Sequence, residues 1–323
     1  MKTNFFKKTL VAFGFTAMAF TASAAGWPEK NITLVVPYPP GGPTDIVGRV
    51  VAQELSESLG QTVVVENKSG AGGNIGADLV ARSKPDGYTL LMATTAHAIN
   101  MSMFEDLNYD TIESFEPVSL LTKGPLVLVT RKDLGVDNVQ ELIERAKENP
   151  GEITFASSGN GQSTHLSAEL FNYMAGTDMI HIPYRGSAPA LVDVVAGEVD
   201  IMFDTMLSAM PQVNSGQLKA LAVTSGTRSE AFPEIPTIDE VGLDGYEATA
   251  WNGLLVPANT PAEVVEKLNS ALKEILANEE VKSKFAAQGF ESEWLSAEDY
   301  AQFLQDEISK WNTVVTESGA TVN

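Results

Sequence analysis

The run Ile32-Thr33-Leu34-Val35-Val36, followed by Pro37-Tyr38-Pro39-Pro40-Gly41-Gly42-Pro43-Thr44-Asp45, constrains this chain more than any other stretch. Five residues rich in β-branched types read as a buried strand, and the Pro/Gly run stops it. Beyond Asp45, the apolar residues Ile46, Val47, Val50, Val51, Leu55 and Leu59 recur at helical spacing. A strand therefore passes through a tight loop into the first turn of a helix. Such a corner aims unpaired N–H groups, and the positive end of the helix dipole, at the space above the loop. Two readings stay open here. The corner is half of an anion-binding site, or it is an ordinary turn capped by Pro43-Thr44-Asp45.

The pattern returns further on. Ile153 to Ala156 reads as a strand, Ser157-Ser158-Gly159-Asn160-Gly161-Gln162-Ser163-Thr164 as a loop of small polar residues, and His165 to Met174 as a helix. Two helix starts over strand ends can face each other across a cleft. Between them, strands at Thr62–Asn67 and Tyr88–Ala93 alternate with helical pattern, which implies a parallel sheet with right-handed crossovers. Ligands of such sheets sit beyond the carboxyl ends of the strands, where Thr94 to His97 fall. Further strands are expected at Met179–Tyr184, Val199–Asp204, with Asp204 at its carboxyl end, and Ala220–Thr224. Trp251–Pro257 returns the chain to its first part, and Pro261 to Trp311 reads as helices. The expected division is one domain of residues 26–125 plus 251–323 and a second of 126–250. The glycines at 70, 72, 73 and 76 imitate a dinucleotide fingerprint. The third position of that fingerprint is Ile75, so close packing of a helix on the sheet explains them better.

Lys2, Lys7 and Lys8 precede an apolar run from Leu10 to Phe20, and Thr21-Ala22-Ser23-Ala24-Ala25 follows. This order is that of a secretory signal peptide over residues 1–25, cleaved after Ala24 or Ala25. The chain has no Cys, hence no disulfide and no lipid-anchor cysteine. An exported protein with a large core and no disulfide suits the bacterial periplasm. Removing the segment leaves 18 Lys and Arg against 42 Asp and Glu, a net charge of −24. That field opposes nucleic acid and anionic lipid. An anion site in such a chain must act locally, through N–H dipoles and hydroxyls.

Six motifs then occur in order: Pro-Pro-Gly-Gly-Pro-Thr-Asp (39–45), Val-Val-Glu-Asn-Lys-Ser-Gly-Ala-Gly-Gly (64–73), Pro-Asp-Gly-Tyr-Thr-Leu-Leu (85–91), Pro-Tyr-Arg-Gly-Ser-Ala-Pro-Ala (183–190), Ala-Leu-Ala-Val-Thr (220–224) and Trp-Asn-Gly-Leu-Leu-Val-Pro (251–257). With them the chain resembles the extracytoplasmic receptors of tripartite tricarboxylate transporters, the Bug or TctC family, over essentially its whole mature length. The resemblance implies an α/β, two-domain periplasmic binding protein of type II character. Each domain is then a mainly parallel sheet flanked by helices, with the ligand cleft between. It further implies a receptor that closes on a small carboxylate and hands it to a membrane permease. The loops at 38–45 and 157–165 would hold the carboxylate through main-chain N–H groups, hydroxyls and waters. Relatives often read Gly-x-Gly-Ser before the His, whereas here Gln162 intervenes and is expected to reach into the cleft.

The expected clamp uses N–H groups near Gly42, Thr44 and Asp45 and near Gly161, Ser163 and Thr164, with hydroxyls from Thr44, Ser158, Ser163 and Thr164. Tyr38 walls the pocket, and Thr95 and Asn160 read the distal part of the ligand. Asp45 is the commoner choice for a helix cap, Asp204 either accepts from a ligand donor or satisfies a loop, and Arg185 is a second-rank carboxylate clamp. His97 and His165 are expected to make structural hydrogen bonds. Against catalysis, there is no Gly-x-Ser-x-Gly elbow to support a serine hydrolase built on Ser157 or Ser158. No ligand spacing points to a metal, and no cofactor is expected. A sensor for a membrane signalling partner is the other binding role, and a monomer is the expected state.

Overall fold

The computed structural model of the chain describes residues 26–229 and 231–321, so the export segment expected over 1–25 lies outside the described residues. The chain opens with β1 (Ile32–Val36), α1 (Pro43–Leu59), β2 (Val63–Asn67), α2 (Asn74–Ala81), β3 (Thr89–Thr94) and α3 (Thr95–Met103). Strands β2 and β3 flank β1, and both run parallel to it. After β4 (Phe115–Arg131) and α4 (Val139–Glu148), the six-element unit repeats. It reappears as β5 (Thr154–Ser157), α5 (Ser163–Ala175), β6 (Ile180–Pro183), α6 (Ser187–Ala196), β7 (Ile201–Thr205) and α7 (Met206–Asn214). Here β6 and β7 flank β5, again in parallel. The chain ends with β8 (Leu218–Val223), β9 (Thr249–Pro257), α8 (Ala262–Ala277), α9 (Glu279–Ala286), β10 (Glu291–Ser292) and α10 (Ala297–Ser318).

The strand order β2-β1-β3-β9-β4-β7-β5-β6 sets the two parallel wings on either side of a central antiparallel pair. That pair is β4 and β9. Residues 115–131 form one strand of 17 residues that runs straight through the expected domain division between residues 125 and 126. Its first part pairs with β9, from Phe115 opposite Pro257 to Pro125 opposite Thr249. Its second part pairs with β7 and β8 in the other half. Gly124-Pro125 has the composition of a turn, but pairing with β9 on one side keeps it extended.

Two helices carry no readable period. Helix α3 buries Thr95, Ala96, His97, Ala98, Ile99, Asn100 and Met103, which leaves no polar face. Helix α7 contains Pro211. Of the glycines at 70, 72, 73 and 76, the last, inside α2, serves close packing, whereas the first three hold positive-φ turns before the helix. A Cβ on Gly76 would stand 2.9 Å from Pro37 Cβ and 3.0 Å from the Lys68 carbonyl. Nor is there room at Gly253, in β9, where a Cβ would come within 1.9 Å of the Tyr300 hydroxyl.

Tyr300 belongs to α10, which packs against α3 in one half and α5 in the other. One buried carboxylate ties this helix to the crossing strand. Glu307, 6% exposed, accepts the indole N–H of Trp251 at 2.8 Å and that of Trp311 at 2.9 Å, and Lys310 pairs with it. Removing it strands two buried donors. Glu307→Ala should therefore cost roughly 2–4 kcal/mol of unfolding free energy by urea titration, while Glu307→Gln, which keeps an acceptor, should recover most of it.

Candidate functional site

Parallel β–α units leave the N-terminus of each helix at the carboxyl end of the strand before it. Five such N-termini meet at one cavity of about 560 Å³. Gly42, Pro43 and Thr44 bring α1, Thr94, Thr95 and Ala96 bring α3, and Gln162, Ser163 and Thr164 bring α5. Gly186, Ser187 and Ala188 bring α6, and Thr205 brings α7. The first two helices come from one half of the sheet and the last three from the other. Trp251 and Asn252 of the crossing strand, and Phe290, complete the wall. Helical geometry leaves the N–H groups of Thr44 and Asp45, and those of Ser163 and Thr164, without intrahelical acceptors.

Each candidate residue now has a place. Tyr38 lines the cavity, and its hydroxyl shares a 3.0 Å hydrogen bond with Thr94 Oγ1. Burial raises its pKa, so the phenol stays neutral. Gly42 and Thr44 face the cavity as well. Asp45 touches the cavity, but its carboxylate is spent on the loop. It accepts from the Gly41 N–H at 2.8 Å, Arg49 Nε at 2.8 Å and Asn67 Nδ2 at 2.8 Å. Burial pushes that carboxyl up, yet the bonds from Arg49, Gly41 and Asn67 outweigh it and hold it below the usual carboxylate range. The negative charge at this corner is thus paired on site. Because Gly42 is the N-cap of α1 and no side-chain cap bond forms, Asp45 fastens the loop rather than capping the helix.

Thr95 lines the cavity too, with its hydroxyl accepting the Trp251 N–H at 3.0 Å. Ser158, Ser163 and Thr164 all line it. The Thr164 hydroxyl accepts the Ser158 N–H at 2.9 Å and pairs with Ser158 Oγ at 2.8 Å, which locks the second loop. Gln162 is the N-cap residue of α5 and reaches the cavity, and Arg185 borders it.

Asn160, Gly161 and Asp204 are not among the lining residues. The Gly161 N–H is given to His165 Nδ1 at 3.2 Å, so that glycine shapes the loop at φ +73°. Asp204 is fully buried, one layer beneath Ser187 and Thr205, accepting the Ser187 O–H at 2.7 Å and the Thr205 N–H at 2.8 Å on one oxygen. Its other oxygen has no partner among the described residues.

The two candidate histidines are structural. His97 is fully buried, caps α3 by accepting the Thr94 N–H at 2.9 Å, and is pushed down to about 4 by burial. His165 stacks on His181 with ring centroids 3.8 Å apart, and His181 Nε2 bonds Ser157 Oγ at 2.6 Å. Burial, with His165 beside it, holds His181 down to about 3. The two stacked rings organise the 157–161 loop from behind.

Sequence reasoning placed Thr94 at the ligand end of its strand but missed Ser187, Thr205, Ser208, Asn252 and Phe290 as lining residues. The signal for Thr205 was within reach, since its strand was read to end one residue short, and Thr94 holds the same N-cap place in the first unit. Nothing local marks Phe290, which arrives from the far end of the chain. Among the lining residues, Asp45 carries the sole carboxylate and Arg185 the sole cation, and hydroxyls dominate the rest. No group of His, Cys, Asp and Glu suited to a metal ion occurs among the described residues.

Two parallel wings of one sheet, an antiparallel pair between them and a cavity between the halves define the periplasmic binding-protein fold. The comparisons agree and narrow it. The family model described as "Tripartite tricarboxylate transporter family receptor" matches residues 47–320, and the chain belongs to that family. It is 40% identical to Protein BugT of Bordetella pertussis over 305 residues, covering 94% of each chain. An R. palustris protein solved with adipate superposes with a TM-score of 0.81 at 36% identity, covering 91% of this chain and 99% of that one. MatC from Rhodopseudomonas palustris, solved with bound malate, gives 0.78 at 34% identity, covering 90% and 100%. The chain is a solute-binding receptor of the tripartite type, and its family and neighbours are receptors rather than enzymes. No described helix is long and apolar enough to cross a membrane.

Burial pushes the Asp204 carboxyl up to about 7, against the lowering bonds from Ser187 and Thr205. A folded-state pKa above the unfolded value of about 4 gives a stabilising contribution fully present below about pH 4 and lost as pH rises through about 7. Asp204→Asn stays neutral throughout. Between about pH 4 and pH 8 the urea midpoint of wild type should fall relative to that of the variant, and parallel curves would mean the carboxyl titrates normally.

Proposed function

We propose that this receptor works in the periplasm, after loss of residues 1–25, as a monomer that captures a small organic acid carrying two carboxylates. The observation that carries this is the meeting of helix N-termini from both halves at one cavity whose sole lining cation is Arg185. The lobes are residues 26–125 plus 251–323 and residues 126–250, joined through β4 and β9, and they close on the ligand. One carboxylate sits between the N–H groups of Thr44 and Asp45 on one lobe and those of Ser163 and Thr164 on the other. Hydroxyls of Thr44, Ser163 and Ser158 add donors, and Tyr38 walls the pocket. Charge-assisted hydrogen bonds contribute ~1.5–3 kcal/mol each, so a few support micromolar binding at ~8 kcal/mol. The second carboxylate meets Arg185 and the start of α6. The adipate and malate complexes of two relatives support a ligand of this class. The permease of a tripartite tricarboxylate transporter then receives the ligand.

Two variants test the assignment by calorimetry with malate and adipate. Gly42 has φ −80°, and a Cβ there would make only an ordinary contact, 4.0 Å from the Pro39 carbonyl, so Gly42→Val should cost the ligand-free fold no more than about 1 kcal/mol. The same change should raise Kd at least about tenfold, a loss of ~1.4 kcal/mol, and unchanged affinity would refute the clamp. Arg185→Gln should weaken dicarboxylates about tenfold while leaving a monocarboxylate such as butyrate within about twofold. Equal losses for both acids would remove Arg185 from the second subsite.

A further inference from the structure

The repeated unit leaves one pair of features outside ligand binding. Helices α2 and α6 follow β2 and β6, the two outermost strands and the ones furthest from the crossing pair. Both helices expose apolar side chains. On α2 these are Ile75 and Leu79, 53% and 38% exposed, and on α6 they are Val192 and Val195, 64% and 37% exposed. Leu79 and Val192 each occupy the sixth position of their helix, and Ile75 and Ala188 the second. Single exposed apolar residues need no explanation, but the same helix position in both copies of a repeat is a pattern. A groove adjoins each face. One of about 240 Å³ includes Ile75, Phe104 and Leu107, and one of about 450 Å³ lies between α6 and α7 and includes Val192 and Val195. The second groove shares Ala188 and Ser208 with the ligand cavity.

We propose that these two faces form one divided docking surface for the membrane permease. The inference rests on the receptor reading and adds where the partner binds. Two observations select that occupant. The faces lie on different halves of the sheet, and one is continuous with the wall of the ligand cavity. A single partner that engages both faces therefore reads their spacing, and with it the closed, loaded state. Acidic side chains also flank both faces. Asp78 and Asp106 border the first groove, with Arg82 drawn onto Asp78, and Asp193 and Glu198 lie on or just after α6, in a chain of net charge −21. The matching permease surface carries two apolar projections flanked by basic side chains.

Leu79→Asp and Val192→Asp, singly and together, test this. Both positions are exposed, so each variant should melt like wild type and bind malate or adipate within twofold of it. Uptake of radiolabelled malate or adipate is then measured in cells of the source bacterium that lack their own copy and carry each variant. Each single variant should lower uptake at least tenfold, because the partner must engage both halves. Uptake equal to wild type in either single variant overturns the inference, as does a wild-type dimer in sedimentation that both variants dissolve, which would make the occupant a second copy. Wild-type protein that binds neither acid overturns the receptor reading itself and the docking surface with it. Wild-type binding and uptake with undiminished variants overturns the docking surface alone.

Discussion

The antiparallel ladder between β4 and β9 is the constraint on which the rest of this molecule depends. Strand β9 pairs with β3 and with the first part of β4, and β4 runs on to pair with β7, so a continuous strand ladder, rather than a loop, joins the two parallel wings. Side chains reinforce the joint from both faces. The Thr95 hydroxyl receives the Trp251 N–H, Asn252 donates to Thr122, and Glu307 holds the indoles of Trp251 and Trp311. With the wings fixed at that seam, the carboxyl ends of β1, β3, β5, β6 and β7 face a common space.

That arrangement answers a problem of charge. A chain of net charge −21 repels small acids at long range. Within the cavity the balance reverses because the donors are dipoles and hydroxyls, which act at contact distance and are not cancelled by remote carboxylates. The chain also silences the nearest negative charges. Arg49 and Asn67 occupy Asp45, and burial keeps Asp204 in its neutral form below about pH 7. Arg185 is left as the one cation on the cavity wall, at the start of the helix that follows β6.

Much of this was legible along the chain. The β1–α1 corner, its return at β5–α5, and the failed dinucleotide register all follow from local pattern, because alternating strand and helix periods and glycine placement act over a few residues. Thr44, Ser158, Ser163 and Thr164 were found for the same reason, since they sit beside helix starts that composition reveals. The unread parts have a different character. Helix α3 has no polar face and α7 contains a proline, so neither shows an amphipathic stripe, and Thr205 and Ser208 went unnoticed with α7. Gly161 looked like a donor, but its N–H had already found His165 Nδ1.

The sequence by itself determined the repeating strand–helix units, the helix starts rich in hydroxyls and small residues, the acidic charge and the absence of cysteine. Those properties depend on neighbours a few positions apart or on simple composition. Only the tertiary structure decided that residues 115–131 are one strand, that Asp204 lies under the cavity rather than in it, and that Trp251, Asn252 and Phe290 close its wall. The first and last of these require segments more than a hundred residues apart to meet, the second requires β7 and the start of α6 to pack together, and no local propensity records which surfaces that packing will bring together.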